Sequence, residues 1–134
     1  MLKSDPLIGV VGVCASGKST LIKALTAQGY RCRHIAQEHS YVPDMWQRLT
    51  NPDILIFLGV SYEKTLERKK LNWTRAEYEI QLHRLRHAFE HADIHIDTET
   101  LDSRQLLERV TAELGNFTHD QSSAVVCASL RYNR

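Results

Sequence analysis

The sequence predicts an α/β fold of three layers, with helices covering both faces of a reduced, mainly parallel sheet of about four strands. Three observations carry that expectation. Apolar, β-branched runs of strand length alternate with helix-period segments between residues 7 and 114. The clearest run, DILIFLGV at 53–60, is apolar without alternation, as suits a parallel strand covered on both sides. The chain has only 134 residues, enough for one domain with a real core and no more.

The elements follow in order. Leu7 to Val13 reads as the first strand, and Leu21, Ile22 and Leu25 mark one side of the helix behind it, with Gly29 at its C′ position. YRCRHIAQEH alternates weakly and predicts a second strand with Glu38 near its C-terminal end. In YVPDMWQRLTN, Pro43 stands at a helix start, and Met45, Trp46 and Leu49 are available to pack. After DILIFLGV, Ser61 is placed to cap a helix over YEKTLERKKL. The polar break NWT leads to a longer helix from about Arg75 to His91, and ADIHIDT is the fourth strand. The last helix, LDSRQLLERVTAELG, carries Asp102 as N-cap, Gln105 reaching back, Leu101 against Leu106 as a staple, and Gly115 at its end. The domain therefore spans 1–115. Residues 116–134 read as a flexible tail, with AVVCASL as the one segment able to add an edge strand.

Between the first strand and first helix the sequence reads GVCASGKS, a G-x-x-x-x-G-K-S string from Gly12 to Ser19. Strand, glycine loop and helix stand in the order that a phosphate cradle requires. Glycines let the backbone approach an anion closely, and successive N–H groups with the free amides of the helix end supply partial positive charge. Lys18 adds a full cation for the outer phosphates, and the Ser19 hydroxyl suits a magnesium ion. The expected ligand is a nucleoside triphosphate.

Composition narrows the other classes. The formal net charge of +1 gives no argument for nucleic acid or an anionic membrane as partner, and no apolar run approaches a membrane span. The N-terminal apolar stretch is the first strand and not a signal peptide. Cys14, Cys32 and Cys127 are odd in number and far apart, and read as free thiols of a reducing cytoplasm.

With these segments in view, the chain resembles the small P-loop kinases of the nucleoside and nucleotide kinase type. GVCASGKST, PDILIFLGVSYEKTLERKK and ADIHIDTETLDSRQLLERV carry the likeness over roughly residues 7–114; the first is specific, and the other two match in pattern. The resemblance implies the three-layer P-loop NTPase fold, with ATP and Mg²⁺ as cofactors. It implies that the loop from Gly12 through Ala15, Ser16 and Gly17 to Lys18 holds the phosphates. Ser19 would bind the metal, Thr20 would support the α-phosphate, and Asp97 would lie near the base. It further implies that Arg68 and Arg75 form a cationic lid around LNW, with Trp73 excluding water. Two departures stand out. Only about twenty residues separate the first helix from DILIFLGV, where the family has another strand and an acceptor-binding insert. The strand that could end in a metal-directing Asp ends in Gly59, which leaves Glu38 as the carboxylate near the loop.

Several positions keep two readings. Glu38 could hold magnesium or accept a proton from an attacking hydroxyl, or belong to a surface turn with His39 and Ser40. Arg68, Lys69, Lys70 and Arg75 form either the lid or a solvated charged face. Asp97 and Thr98 turn toward a base or simply end a strand. His83, His87 and His91 stand four apart, opposite the stripe of Tyr78, Leu82, Leu85, Phe89 and Ala92, which predicts a water-facing row and not a metal site. No N-K-x-D string for guanine occurs. The expectation is an Mg²⁺-dependent ATP-binding protein that phosphorylates a small acceptor. The alternative is a nucleotide-binding or hydrolysing regulatory module that acts through a protein partner.

Overall fold

A computed structural model describes residues 5–69 and 72–122. Four strands, β1 (Leu7–Gly12), β2 (Arg31–His34), β3 (Ile54–Gly59) and β4 (Ile94–Asp97), form one sheet in the order β2-β1-β3-β4. All three pairings are parallel; Val10 lies opposite both His34 and Ile56, and Leu58 opposite both Gly12 and Ile96. Among the described residues the α-helices are α1 (Lys18–Ala27), α2 (Met45–Leu49), α3 (Tyr62–Lys69), α4 (Arg75–Arg84), α5 (Arg86–His91) and α6 (Ser103–Ser122). The α/β architecture and the four-stranded parallel sheet agree with the sequence reading.

Strand alternation sorts the apolar residues into two cores. Ile8, Val10, Ile54, Ile56 and Leu58 face Leu21 and Leu25 of α1 and the Leu106, Val110 and Leu114 stripe of α6. On the other face, Val11, Leu55 and Phe57 meet Trp46 of α2, Tyr78 of α4 and Leu85 and Ala88 beyond it. Central β1 and β3 contribute to both cores, which is why DILIFLGV shows no polar alternation. Each fully buried Leu or Ile here stabilises the fold by about 1.5–3 kcal/mol.

The ends of the helices follow local chemistry. α1 closes with the Gly29 N–H on Thr26 O (3.0 Å) and the Tyr30 N–H on Leu25 O (3.1 Å), with Gly29 at φ 97°. Ser61 Oγ accepts from the Lys64 N–H at the start of α3 (3.1 Å). Thr74 and Glu77 form a reciprocal capping box on α4, a device absent from the sequence reading. Asp102 Oδ1 accepts from the Gln105 N–H (2.8 Å), and Gln105 Oε1 accepts from the Asp102 N–H (2.9 Å), as expected.

Four expectations need correction. β2 stops at His34, and Glu38 sits in a 3₁₀ turn over Gln37–His39. The turn forms because buried Gln37 donates to Val42 O (2.9 Å) and accepts from the Trp46 N–H (2.8 Å), which bends the chain away from the sheet. The helix expected from Arg75 to His91 breaks at Leu85, where ψ is −3°. Gln37 Nε2 takes the Arg84 carbonyl there (3.1 Å), removing it from the helical ladder. In α2, Trp46 is buried, but Leu49 is 79 % exposed and does not pack. Gly115 does not end α6, because Phe117 continues the Leu106–Val110–Leu114 stripe into the core and holds the next turn. The AVVCASL segment, the remainder of the expected tail from 123 on, and Lys70 and Leu71 lie outside the described residues. No helix among the described residues is long and apolar enough to cross a membrane.

Candidate functional site at the glycine loop

The chain leaves β1, passes through α1 to β2 on one side, and then returns to place β3 on the other side of β1. The C-terminal end of β1 is therefore the point where the strand order reverses, and open α/β sheets bind ligands in the crevice at such a point. The loop of residues 12–17 occupies it. A Cβ on Gly12 would lie 2.6 Å from both Leu58 O and Ser16 Oγ, so only glycine fits between β3 and the loop. Ala15 (φ 68°) and Gly17 (φ 106°) are both left-handed. For Ala15 that conformation costs about 1–3 kcal/mol, a strain held by its surroundings. Such alternation turns successive backbone N–H groups to one side, and the first amides of α1 have no partner within the helix.

Lys18, the first residue of α1, turns back under the loop. Its ammonium donates to Gly12 O (2.7 Å) and Val13 O (3.1 Å) and lies 3.0 Å from Glu38 Oε2. Both partners are deeply buried, Lys18 at 6 % exposure and Glu38 at 3 %. Lys18 is thus part of the buried interior as well as of the loop. Glu38 reaches the loop because β2 lies directly beside β1 and the 3₁₀ turn follows it. Its other oxygen, Oε1, and the buried Ser16 Oγ have no hydrogen-bond partner among the described residues. Arg84 anchors the turn by donating to Glu38 O (3.2 Å).

Two cavities adjoin the loop. One, of about 300 Å³, is lined by Gly17, Lys18, Ser19, Thr20, His34 and Glu38 together with Cys14 and Ala15. The other, of about 380 Å³, lies between the loop and the start of α6, lined by Thr20, Arg68, Thr98, Leu101 and Asp102 among others. The expected loop residues, Ser19, Thr20 and Glu38 are therefore brought together.

Arg68 comes to the same place from α3. Its guanidinium donates to Ala15 O (3.2 Å) and Thr98 Oγ1 (2.9 Å), and also to Thr98 O. Thr98 Oγ1 in turn donates to Ser16 O (3.1 Å) or Gly59 O (3.2 Å). Arg75 is elsewhere: it pairs with Glu63 on the surface and lies over the Tyr62 ring, 4.9 Å from its centroid. Only Arg68 of the expected arginine pair borders the loop. The NWT break is braced, since Tyr62 OH donates to Trp73 O (2.6 Å) and Trp73 Nε1 to Thr65 Oγ1 (3.1 Å). Asp97 is exposed and accepts from the Glu99 N–H (2.9 Å); its neighbour Thr98, not Asp97, lines the cavity at the loop.

Glu99 secures the start of α3. Its carboxylate accepts from the Ser61 N–H and Ser61 Oγ, both at 2.9 Å. The backbone N–H bond from Ser61 holds the Glu99 carboxyl below the usual carboxylate range, aided by the Ser61 hydroxyl, Lys64 and Arg68 against a desolvation penalty.

The histidine row is not uniformly water-facing. The break at Leu85 rotates α5, so that Trp46 Nε1 donates to His87 Nδ1 (3.0 Å) and His87 stacks on His91 with centroids 4.1 Å apart. Sequence reasoning also missed Gln81. It is 7 % exposed, its Oε1 accepts from the Cys14 N–H (3.0 Å), and its Nε2 donates to Cys14 Sγ (3.2 Å). A signal existed, because Gln81 falls on the helical stripe between Tyr78 and Leu85.

Family models give no match to this chain, and a search of curated proteins gives none either.

Proposed function

We propose that the chain is a cytoplasmic, Mg²⁺-dependent ATP-binding protein of P-loop kinase type that transfers a phosphoryl group to a small hydroxyl or phosphate acceptor. The observation that carries this reading is Lys18. A buried ammonium stands under a strained glycine loop, at the first turn of a helix, in a cavity that also exposes the Ser19 and Thr20 side chains. That combination concentrates positive potential where a polyphosphate would lie. Lys18 would exchange its loop carbonyls for phosphate oxygens, and Thr20 would support the α-phosphate.

The donor set fits a hard divalent cation: Ser19 and Glu38 line one cavity, and Glu38 Oε1 is a buried carboxylate oxygen with no hydrogen-bond partner among the described residues. Mg²⁺ held there would neutralise charge on the phosphate oxygens. Glu38 is also the group suited to orient or deprotonate an acceptor. Arg68, already on the loop carbonyls, would turn its N–H donors to the charge that develops during transfer. One observation favours the second reading, a nucleotide-binding or hydrolysing regulatory module acting through a protein partner. Arg75 is committed to Glu63, which leaves one arginine near the loop where the kinase reading expects two.

Thermal denaturation with ATP, with and without Mg²⁺, tests binding. ATP at a hundred times its Kd should add about 2.7 kcal/mol of stability to the wild-type chain. A Lys18→Met/Glu38→Gln double variant should lose that gain, and equal stabilisation of both proteins would refute the reading. ADP release across candidate acceptors, compared with release in water alone, then separates kinase from module.

A further inference from the structure

We propose that Cys14, Glu38 and His39 form a zinc site beside the glycine loop, and that its occupation excludes the magnesium nucleotide. The competition rests on the proposed function, whereas the metal site stands without it.

One ligand atom from each of the three residues lies within 4.8 Å of the others. Ligands of tetrahedral zinc, at about 2.0–2.3 Å from the metal, stand roughly 3.3–3.8 Å apart. Closing the triad therefore needs side-chain movements of about 1 Å, and the exposed His39, whose Nε2 already lies 3.7 Å from Glu38 Oε2, can supply them. Glu38 gives the second, independent observation. It is buried, Oε1 has no partner among the described residues, and Oε2 is already engaged by Lys18 at 3.0 Å. A buried carboxylate oxygen left without a hydrogen bond is costly, and a cation bound to it removes that cost. His39 and Lys18 both approach Oε2, at 3.7 and 3.0 Å, so a small turn of the carboxylate would leave Oε2 with the ammonium and offer Oε1 to the metal.

The third argument is Gln81. A buried amide spends both ends on one cysteine, fixing the Cys14 backbone and pointing an N–H at its sulfur. An N–H donor to sulfur orients it, as outer partners of metal ligands do. Thiolate, imidazole and carboxylate together select zinc over magnesium, which prefers oxygen alone. Binding forms a sulfur–zinc bond and releases the Cys14 thiol proton to water. The fourth position is left to water. Because Glu38 Oε1 serves both metals, and Cys14 lines the same cavity as Ser19, zinc and the magnesium nucleotide cannot occupy the site together.

Cobalt reports the site without nucleotide. The reduced full-length chain, titrated with Co²⁺, should develop a thiolate-to-cobalt absorption band saturating at one equivalent, and Zn²⁺ should bleach it. Cys14→Ser, which keeps a partner for Gln81, should abolish the band, while Cys32→Ser and Cys127→Ser should retain it. His39→Ala, which deletes a ligand, should weaken cobalt binding by at least the roughly ten- to hundredfold that losing an outer partner costs, and unchanged binding would overturn His39 as a ligand. No band, or a band that survives in Cys14→Ser, overturns the site. In a second arm, Zn²⁺ should raise the Mg·ATP concentration for half-maximal thermal stabilisation at least about tenfold. That rise should vanish in Cys14→Ser. Equal zinc effects in the two proteins overturn the competition. A cobalt band in a protein that ignores ATP supports the site and sinks only the nucleotide reading.

Discussion

The Lys18–Glu38 pair gives the sharpest test, because its effect on folding can be separated from its effect on ligand. At 3.0 Å and an effective dielectric of ~20, the attraction is about 5–6 kcal/mol before desolvation is counted. Desolvation of two buried ions offsets much of this, so the pair as a whole stabilises little. Removing one member is another matter. Lys18→Met keeps the stem and deletes the ammonium, leaving the Glu38 charge buried and two loop carbonyls, Gly12 O and Val13 O, without their donor. The expected cost is about 3–5 kcal/mol. For a domain of this size that lowers Tm by roughly 10–20 °C. Glu38→Gln should cost less, about 1–3 kcal/mol, because Lys18 retains both carbonyls. The double variant should be more stable than Lys18→Met alone by about 2 kcal/mol or more, a coupling that only a formed pair can give. Urea denaturation of the four proteins, followed by circular dichroism, measures the cycle. Additive effects, or a Lys18→Met protein as stable as wild type, would refute the buried pair. The double variant is also the folded background in which loss of ATP stabilisation can be read cleanly.

Arg68 and Arg75 should now separate: Arg68→Ala should lower turnover by roughly ten- to a thousandfold, while Arg75→Ala changes it less than about twofold, measured as ADP release. Comparable losses in both would show that Arg75 leaves Glu63 to join the loop. His87→Ala should destabilise by about 1–2 kcal/mol through the stranded Trp46 N–H, whereas His83→Gln should be neutral in the same denaturation assay. Glu99 has a depressed folded-state value, so its stabilising contribution is complete above the ordinary glutamate value of 4.5 and is lost as pH falls through the folded one. Wild type should therefore lose more stability than Glu99→Gln when acidified through that window, and parallel pH profiles would contradict the assignment.

What was legible in the sequence was what short-range pattern encodes. Apolar segments gave β1, β3 and β4 and a weak alternation gave β2, the Asp102–Gln105 cap and the Gly29 stop lay where their spacing put them, and the glycine loop announced its own backbone. What stayed hidden depends on polar side chains meeting across long separations. Gln37 ends β2 by turning toward Val42 and Trp46, and it breaks the later helix by taking the Arg84 carbonyl, 47 positions away. No local periodicity carries that information. Gln81 could have been flagged as a polar residue on an apolar stripe, but its partner, Cys14, is 67 positions distant. Gly115 misled because a glycine after a leucine stripe reads as a stop, and only Phe117 seated in the core shows that the helix continues. Arg75 fell near the right break but pairs with Glu63 on the surface and not with the glycine loop.

The short segment between α1 and β3 and the buried ion pair are one feature seen twice. Neighbouring strands stand about 4.8 Å apart. One more strand between β1 and β2 would carry the turn bearing Glu38 outward by that spacing, beyond a 3.0 Å contact with Lys18. With β2 directly beside β1, the first carboxylate after the edge strand falls against the loop lysine, even though β3 ends in Gly59. The reduced sheet thus supplies an acidic group to the loop from the turn after β2. The same displacement brings Cys14 and His39 to that carboxylate. A carboxylate delivered on a turn is set by its anchors, Gln37 on Val42 and Arg84 on the Glu38 carbonyl, more than by a strand ladder. Its position should accordingly respond to changes in α4, the element on which Arg84 and Gln81 both reside. Gln81 and Arg84 thus tie the Cys14 backbone and the Glu38 turn to the same helix, α4.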